Sequence, residues 1–258
     1  MTFLANHPLM LLVVTLVALW IAARLGVYLR RMQGQSKLMD PDDFDLVVGA
    51  TLTLLGLIIG FTFSMALNRY DQRKNYEEAE ANAIGTEYVR ADLLPSAEAS
   101  KVRALLREYT DQRVLYYTTR DPERLRQVRN ATSQLESDLW SAVTPSAAQR
   151  DNISALILSG MNDTINSEGY TQASWINRVP VAAWILLLSI AFFCNVLVGY
   201  RAEGKPSVLL LVLPIAIAIS FFLIADIDSP RSGVIRVAPL NLESLADSLR
   251  PHYANRTN

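Results

Sequence analysis

Residue types that carry covalent or metal chemistry are scarce in this chain, which has 258 residues, two histidines and one cysteine. His7 and His252 lie far apart in sequence, and neither has neighbours that resemble a metal-ligand set. Cys194 stands alone inside an apolar run, so neither an intrachain disulfide nor a cysteine-based metal site can form. It reads as a small hydrophobe in a membrane helix. No glycine-rich phosphate loop, nucleophile elbow or H-E-x-x-H motif occurs. Asp226 and Asp228 come nearest to a carboxylate pair, but residues two apart on a helix do not face the same way. The sequence therefore points away from an enzyme, and it calls for no cofactor and no metal. The glycosylation patterns starting at Asn130, Asn152, Asn162 and Asn255 are of a kind common by chance.

Two groups of charged residues remain. Asp40, Asp42, Asp43 and Asp45 gather around Pro41, just before a long apolar run. Carboxylates there can cap free backbone N–H groups and meet the positive end of a helix dipole. In an oligomer the same acids would ring a pore mouth. A calcium site is the weaker reading, since the EF-hand spacing is missing. The second group, Asp71 and Arg73 with Asp226, Asp228 and Arg231, is placed by the sequence at one membrane edge, where the charges can bond across helices as junction salt bridges.

The elements that must position these groups are membrane helices. Apolar residues make up 51% of the chain and charged residues only 19%. The apolar residues gather in four blocks, near 8–29, 46–67, 180–200 and 208–225. A helix of about 20 residues spans the ~30 Å hydrocarbon core, so four transmembrane helices are expected. The first block has no basic residue before it and no clear small-residue cleavage site after Ala23, and it reads as a retained helix. Trp20 and Tyr28, and later Trp175 and Trp184, suit interfacial positions. Pro214 predicts a kink in the fourth helix.

The second block is the most informative. Gly49, Thr53, Gly56, Gly60 and Ser64 recur every three or four residues and make one small, slightly polar face on a helix otherwise lined by Leu, Ile and Phe. Such a face serves close helix contact or lines a space. If it lines a pore, Phe63 or, alternatively, Phe61 forms an apolar constriction of the kind that gates by dewetting. No Pro or Gly stops the helix after Asn68, so it is expected to run on to about Leu94 before Pro95 ends it, although Gly85 weakens its last turns. Arg73 with Glu77 and Lys74 with Glu78 read as i,i+4 pairs on its surface.

Residues 69–178 hold 16 acids and 14 bases, too balanced for nucleic acid as the main partner. Their apolar spacing predicts helices over 98–118, from Pro122 with Asp121 as N-cap, and over 147–167, broken by Thr144–Ser146 and weakened at Gly160. The expected organisation is therefore all-α. Residues 1–68 form helices one and two, 69–178 a helical extramembrane domain continuous with helix two, 179–228 helices three and four, and 229–258 a polar tail. Basic residues do not settle sidedness. The connectors carry Arg24, Arg30, Arg31, Lys37, Arg201 and Lys205, against Arg69, Arg73, Lys74, Arg178, Arg231 and Arg236 on the domain side.

The run from Leu57 to Lys74, an apolar helix ending in Arg69, an aromatic and basic positions, resembles the bestrophin signature. Ala225–Pro230 resembles the acidic, proline-ended segment after the last bestrophin membrane helix, and the whole chain is similar to the bacterial bestrophin-like family. That resemblance implies a multi-pass inner-membrane homo-oligomer, a pentamer, conducting inorganic ions and surrounded by membrane lipid. Its pore would be lined by helix two, with Thr53, Gly56, Gly60 and Phe63 or Ser64 at the axis, and its helical domain would lie in the cytoplasm. Arg69, Tyr70, Asp226 and Asp228 would brace the junction. The sequence departs from the family pattern at Tyr70, where bestrophins have paired tryptophans, and at Gly56 and Gly60, where they carry bulkier gating residues. The alternative is a non-conducting membrane scaffold or signalling protein whose small face binds a partner.

Overall fold

A computed structural model describes residues 7–33, 40–147, 152–202 and 208–250. Lys37, Lys205, His252 and the motif at Asn255 lie outside them. The elements are α1 (Pro8–Gln33), α2 (Pro41–Arg90), a 3-10 turn (Ala91–Leu93), α3 (Ser96–Thr118), α4 (Pro122–Ala147), α5 (Asn152–Ile176), α6 (Val181–Arg201), a second 3-10 turn (Val208–Leu211), α7 (Val212–Asp228) and α8 (Leu240–Leu249). No strand occurs among the described residues. The chain divides into two compact units, residues 1–70 with 178–236, and 71–177 with 237–258.

The first unit holds α1, α6, α7 and the first part of α2, up to Tyr70. Pro8–Gln33, Pro41–Leu93 and Asn152–Arg201 are helical runs long and apolar enough to cross a membrane. The helix α7 has only 17 residues. With the preceding 3-10 turn it reaches about 33 Å, still enough for the hydrocarbon core. Pro214 is the third residue of α7, where a missing N–H is tolerated, and no mid-helix kink is needed. The core of this unit gathers Leu11 and Leu19 from α1, Leu55 and Ala66 from α2, Trp184, Leu187 and Ala191 from α6, and Ile217, Phe221 and Ile224 from α7. At the α1–α6 crossing the backbones nearly touch. A Cβ on Gly26 would lie 2.0 Å from the Val196 carbonyl oxygen, and one on Gly199 2.0 Å from that of Ala23.

The second unit is a helical bundle in which α3 packs against α4 and α8, and α4 against α5. Asp121 caps α4 as expected, its Oδ2 accepting from the Arg124 N–H at 2.8 Å. Neither Gly85 nor Gly160 interrupts its helix, and α4 runs through Pro145 to Ala147. The segment read as a polar tail contains α8, which buries Leu242, Ala246 and Leu249. Trp184 and Trp175 are buried inside the chain, not at a lipid interface. Trp184 meets the Phe221 ring edge-on at 6.1 Å, and Trp175 lies 5.2 Å from both Tyr116 and Tyr117. Trp20 and Tyr28 are exposed, with the Arg24 guanidinium over the Trp20 ring.

Candidate functional site

The helix α2 is the least covered of the three spans, with 11% of its apolar window buried inside the chain. The side it does bury is Leu55, Thr62 and Ala66, with Ile58 and Ile59 partly covered. Thr53, Gly56, Gly60 and Ser64 all lie on the opposite side and are exposed. A Cβ added at Gly49, Gly56 or Gly60 meets nothing within 4 Å. Thr53 turns its hydroxyl back onto the Gly49 carbonyl oxygen at 2.8 Å, so its methyl is free to face outward. Phe61 and Phe63 are both exposed, at 67% and 37%. At about 100° per residue, Phe63 stands roughly 60° around the helix from Gly60 and Phe61 roughly 100°. Phe63 therefore flanks the small face more closely.

Polar groups sit at both ends of the same unit. At the start of α2, the Asp42 N–H donates to Asp40 Oδ1 at 3.3 Å, and Asp40 supplies the capping carbonyl for the Phe44 N–H. Asp45 accepts two bonds from Arg201 at the end of α6, from Nε at 2.6 Å and from Nη2 at 3.0 Å. Asp42 and Asp43 are exposed in the first turn of α2. Of the four acids, Asp40 thus serves as a cap and Asp45 as a bidentate ion-pair partner. The other end is organised by the two aspartates of α7, both buried. Asp226 accepts from the Val234 and Ile235 N–H groups at 2.7 and 2.8 Å, which folds the chain after α7 back on itself. Gly233 is required there, because a Cβ would stand 2.3 Å from the Asp226 carbonyl oxygen. Asp228 accepts from the Val179 N–H at 3.1 Å and lies 3.9 Å from Arg69 Nη1. Tyr70 packs against the apolar core, Asp71 is exposed, and Arg231 is half-buried.

The Bestrophin-like domain family matches residues 9–242. This chain belongs to that family. Among solved structures, a bacterial bestrophin homolog from Klebsiella pneumoniae is similar over 93% of this chain and 96% of its own, at 14% identity and a TM-score of 0.64. Two single-substitution variants of that homolog give 14% identity with TM-scores of 0.65 and 0.64, covering 92% and 96% of this chain and 97% and 99% of their own. At that identity the likeness is one of fold. No curated protein matches.

In the second unit of this bestrophin-like chain, α2 buries a polar seam. Arg73, Glu77, Glu80, Ile84 and Glu87 are all buried, spaced four, three, four and three apart. Arg73 and Glu77, expected as a surface pair, each have partners on other helices. Arg73 donates from Nε to the Ser174 carbonyl oxygen at 3.3 Å and from Nη2 to that of Asn177 at 3.5 Å, satisfying the C-terminal end of α5. Glu77 accepts from the Leu242 N–H at 2.9 Å and from Asn241 Nδ2 at 2.6 Å, capping α8. Glu80 takes Arg113 Nε, and its other oxygen accepts from Thr171 at 2.9 Å. Glu87 has Arg90 Nη1 at 3.8 Å, and burial pushes its carboxyl up to about 8.

Sequence reasoning missed two features. The tight glycine crossing was signalled by Ala22, Ala23 and Gly26, small residues three and four apart in α1. The polar seam was signalled by the heptad spacing of Arg73, Glu77, Glu80 and Glu87, which an expectation of apolar cores passes over.

Proposed function

We propose that this chain is the protomer of a homo-oligomeric, pentameric ion channel of the inner membrane, with the pore lined by Thr53, Gly56, Gly60, Phe63 and Ser64 of α2. The observation that carries this reading is the open small face of α2, which the chain's own packing leaves uncovered on the side away from its core. A lone protomer would expose that face, with Leu57, Phe61 and Leu67, along a helix that lipid alone does not select to be glycine-rich. Around an axis, small residues leave room for hydrated ions, and a ring of Phe63 supplies an apolar constriction. Asp42 and Asp43, on the exposed first turn, would face the mouth and favour cations. Asp40 and Asp45 contribute charge there while holding α2 to its cap and to Arg201. Arg69 and Asp228 hold the other end of the pore helix in register, and the second unit is assigned to the cytoplasm.

The test is ion flux into liposomes containing the full-length protein. Flux is expected from the natural chain and loss of it from Gly60→Leu, whose Cβ meets no other part of its own chain and whose bulk fills the space beside the axis. A well-folded natural oligomer that passes no ions overturns the channel reading in favour of a non-conducting scaffold.

A further inference from the structure

We propose that Glu136 and Glu168 form one shared proton-binding site that couples the packing of α3, α4 and α5 to proton concentration. The inference is independent of the pore reading. Four helices gather three carboxylates around Arg113, two of them in contact with its guanidinium. Arg113 of α3 is buried and donates from Nε to Glu80 of α2 and from Nη1 to Glu168 of α5 at 3.3 Å. Glu136 of α4 joins through Tyr109 of α3, whose hydroxyl donates to Glu136 Oε1 at 3.4 Å. Arg113 and Glu80 are both fully enclosed, and Glu80 is further held by Thr171 and by the Tyr117 hydroxyl at 3.4 Å. That pair neutralises itself. Glu136 and Glu168 then have only the remaining field of Arg113 and, on Glu168, that of Arg129 of α4. Two like charges with about one cation between them cannot both ionise cheaply in a half-buried setting.

These two acids are also where protons can enter. Both line a cleft of about 440 Å³ with Ile165, Asn166, Gly169 and Tyr170. Burial, then the neighbouring Glu168 charge, pushes the Glu136 carboxyl up to about 7, and burial moves Glu168 in the same direction. The Glu168 charge acts on Glu136 across the cleft that both line, so a proton taken up at one eases the charge on the other. The folded chain therefore binds the proton more tightly than the unfolded chain. The stability gained is complete below the ordinary carboxyl range and is lost as pH rises through about 7. Deprotonation places repulsion between α4 and α5 that Arg113 and Arg129 offset only in part, loosening their contact with α3.

The experiment uses the full-length protein in lipid nanodiscs, carrying Glu87→Gln to remove the other raised carboxyl. Infrared difference spectra are read for the protonated-carboxyl band as pH is raised from about 6 to about 8.5. A band titrating near neutrality is expected in this parent and is expected to be gone or halved in Glu136→Gln and Glu168→Gln. The melting temperature of the parent should fall by about 5 °C over the same range, and by less than half of that in Glu136→Gln. Tyr109→Phe removes the hydroxyl that favours ionised Glu136, and it should move the midpoint upward. That shift supplies the test if the glutamine variants do not fold. A parent without such a band, a band unchanged in both glutamine variants, or an unmoved midpoint in Tyr109→Phe overturns the proposal.

Discussion

Buried charge in the second unit is held mainly by opposite charge, and Arg113 is the sharpest case, although its Nη2 has no hydrogen-bond partner. Its guanidinium is enclosed beside Glu80 and lies over the Tyr116 ring at 4.6 Å. Arg113→Met should cost about 3–5 kcal/mol of stability, since Glu80 would be left buried with hydroxyl partners alone. Adding Glu80→Met should recover most of that loss, because removing both charges also removes both desolvation penalties. Chemical unfolding of the two variants against the natural chain measures this. Glu87 makes a different prediction. Its carboxyl is raised to about 8 chiefly by burial, with Arg90 opposing and the Asp163 charge adding. Its contribution to stability is therefore complete below its unfolded value and is lost as pH climbs through about 8. Glu87→Gln should match the natural chain in mild acid and exceed it in alkaline buffer, read from melting curves across pH. These residues were poorly legible in sequence for a physical reason. A glutamate or arginine on a helix is more often solvated than buried, and its partners here are distant in the chain, such as Thr171 for Glu80 and Asn241 for Glu77.

Among the elements, the helices themselves were legible because their signals are local. The Asp121-Pro122 start, the Pro95 stop and the four apolar runs depend on neighbouring residues alone. Pro214 was misjudged because the 3-10 turn before it moves the start of α7 to Val212. The glycines divide into two kinds that composition cannot separate. Gly26 and Gly199 permit a backbone-to-backbone crossing, whereas Gly49, Gly56 and Gly60 have empty space beside them. Gly26→Leu or Gly199→Leu must push α1 and α6 apart, and either should abolish folding or cut yield severely. Gly60→Ala should leave the protomer's folding intact, and on helix propensity alone it gains up to about 1 kcal/mol. Size-exclusion behaviour and thermal unfolding of the purified variants distinguish the two classes.

For the molecule as a whole, the question is what covers the open side of α2. Family membership and fold follow from the match over residues 9–242 and from the likeness to the Klebsiella homolog, but neither assigns a surface to water, to lipid or to a second copy. Accessibility in the assembled state decides it. The single natural cysteine, Cys194, is buried, so Cys194→Ser gives a thiol-free background at the cost of one small buried contact. Single cysteines then replace Thr53, Gly56, Gly60 and Ser64 on the small face, and Leu54, which is exposed about 120° around the helix from Gly60. If the face lines a water-filled axis, a charged thiol reagent added outside liposomes should label the four positions on the face and leave Leu54→Cys unmodified in hydrocarbon. Modification at Gly60→Cys, just above the Phe63 level, should also block flux. If another protein or another helix covers the face, all five positions should resist the reagent until detergent disperses the assembly. Labelling confined to Leu54→Cys would place water on the wrong side of α2 and remove the basis for a pore along it.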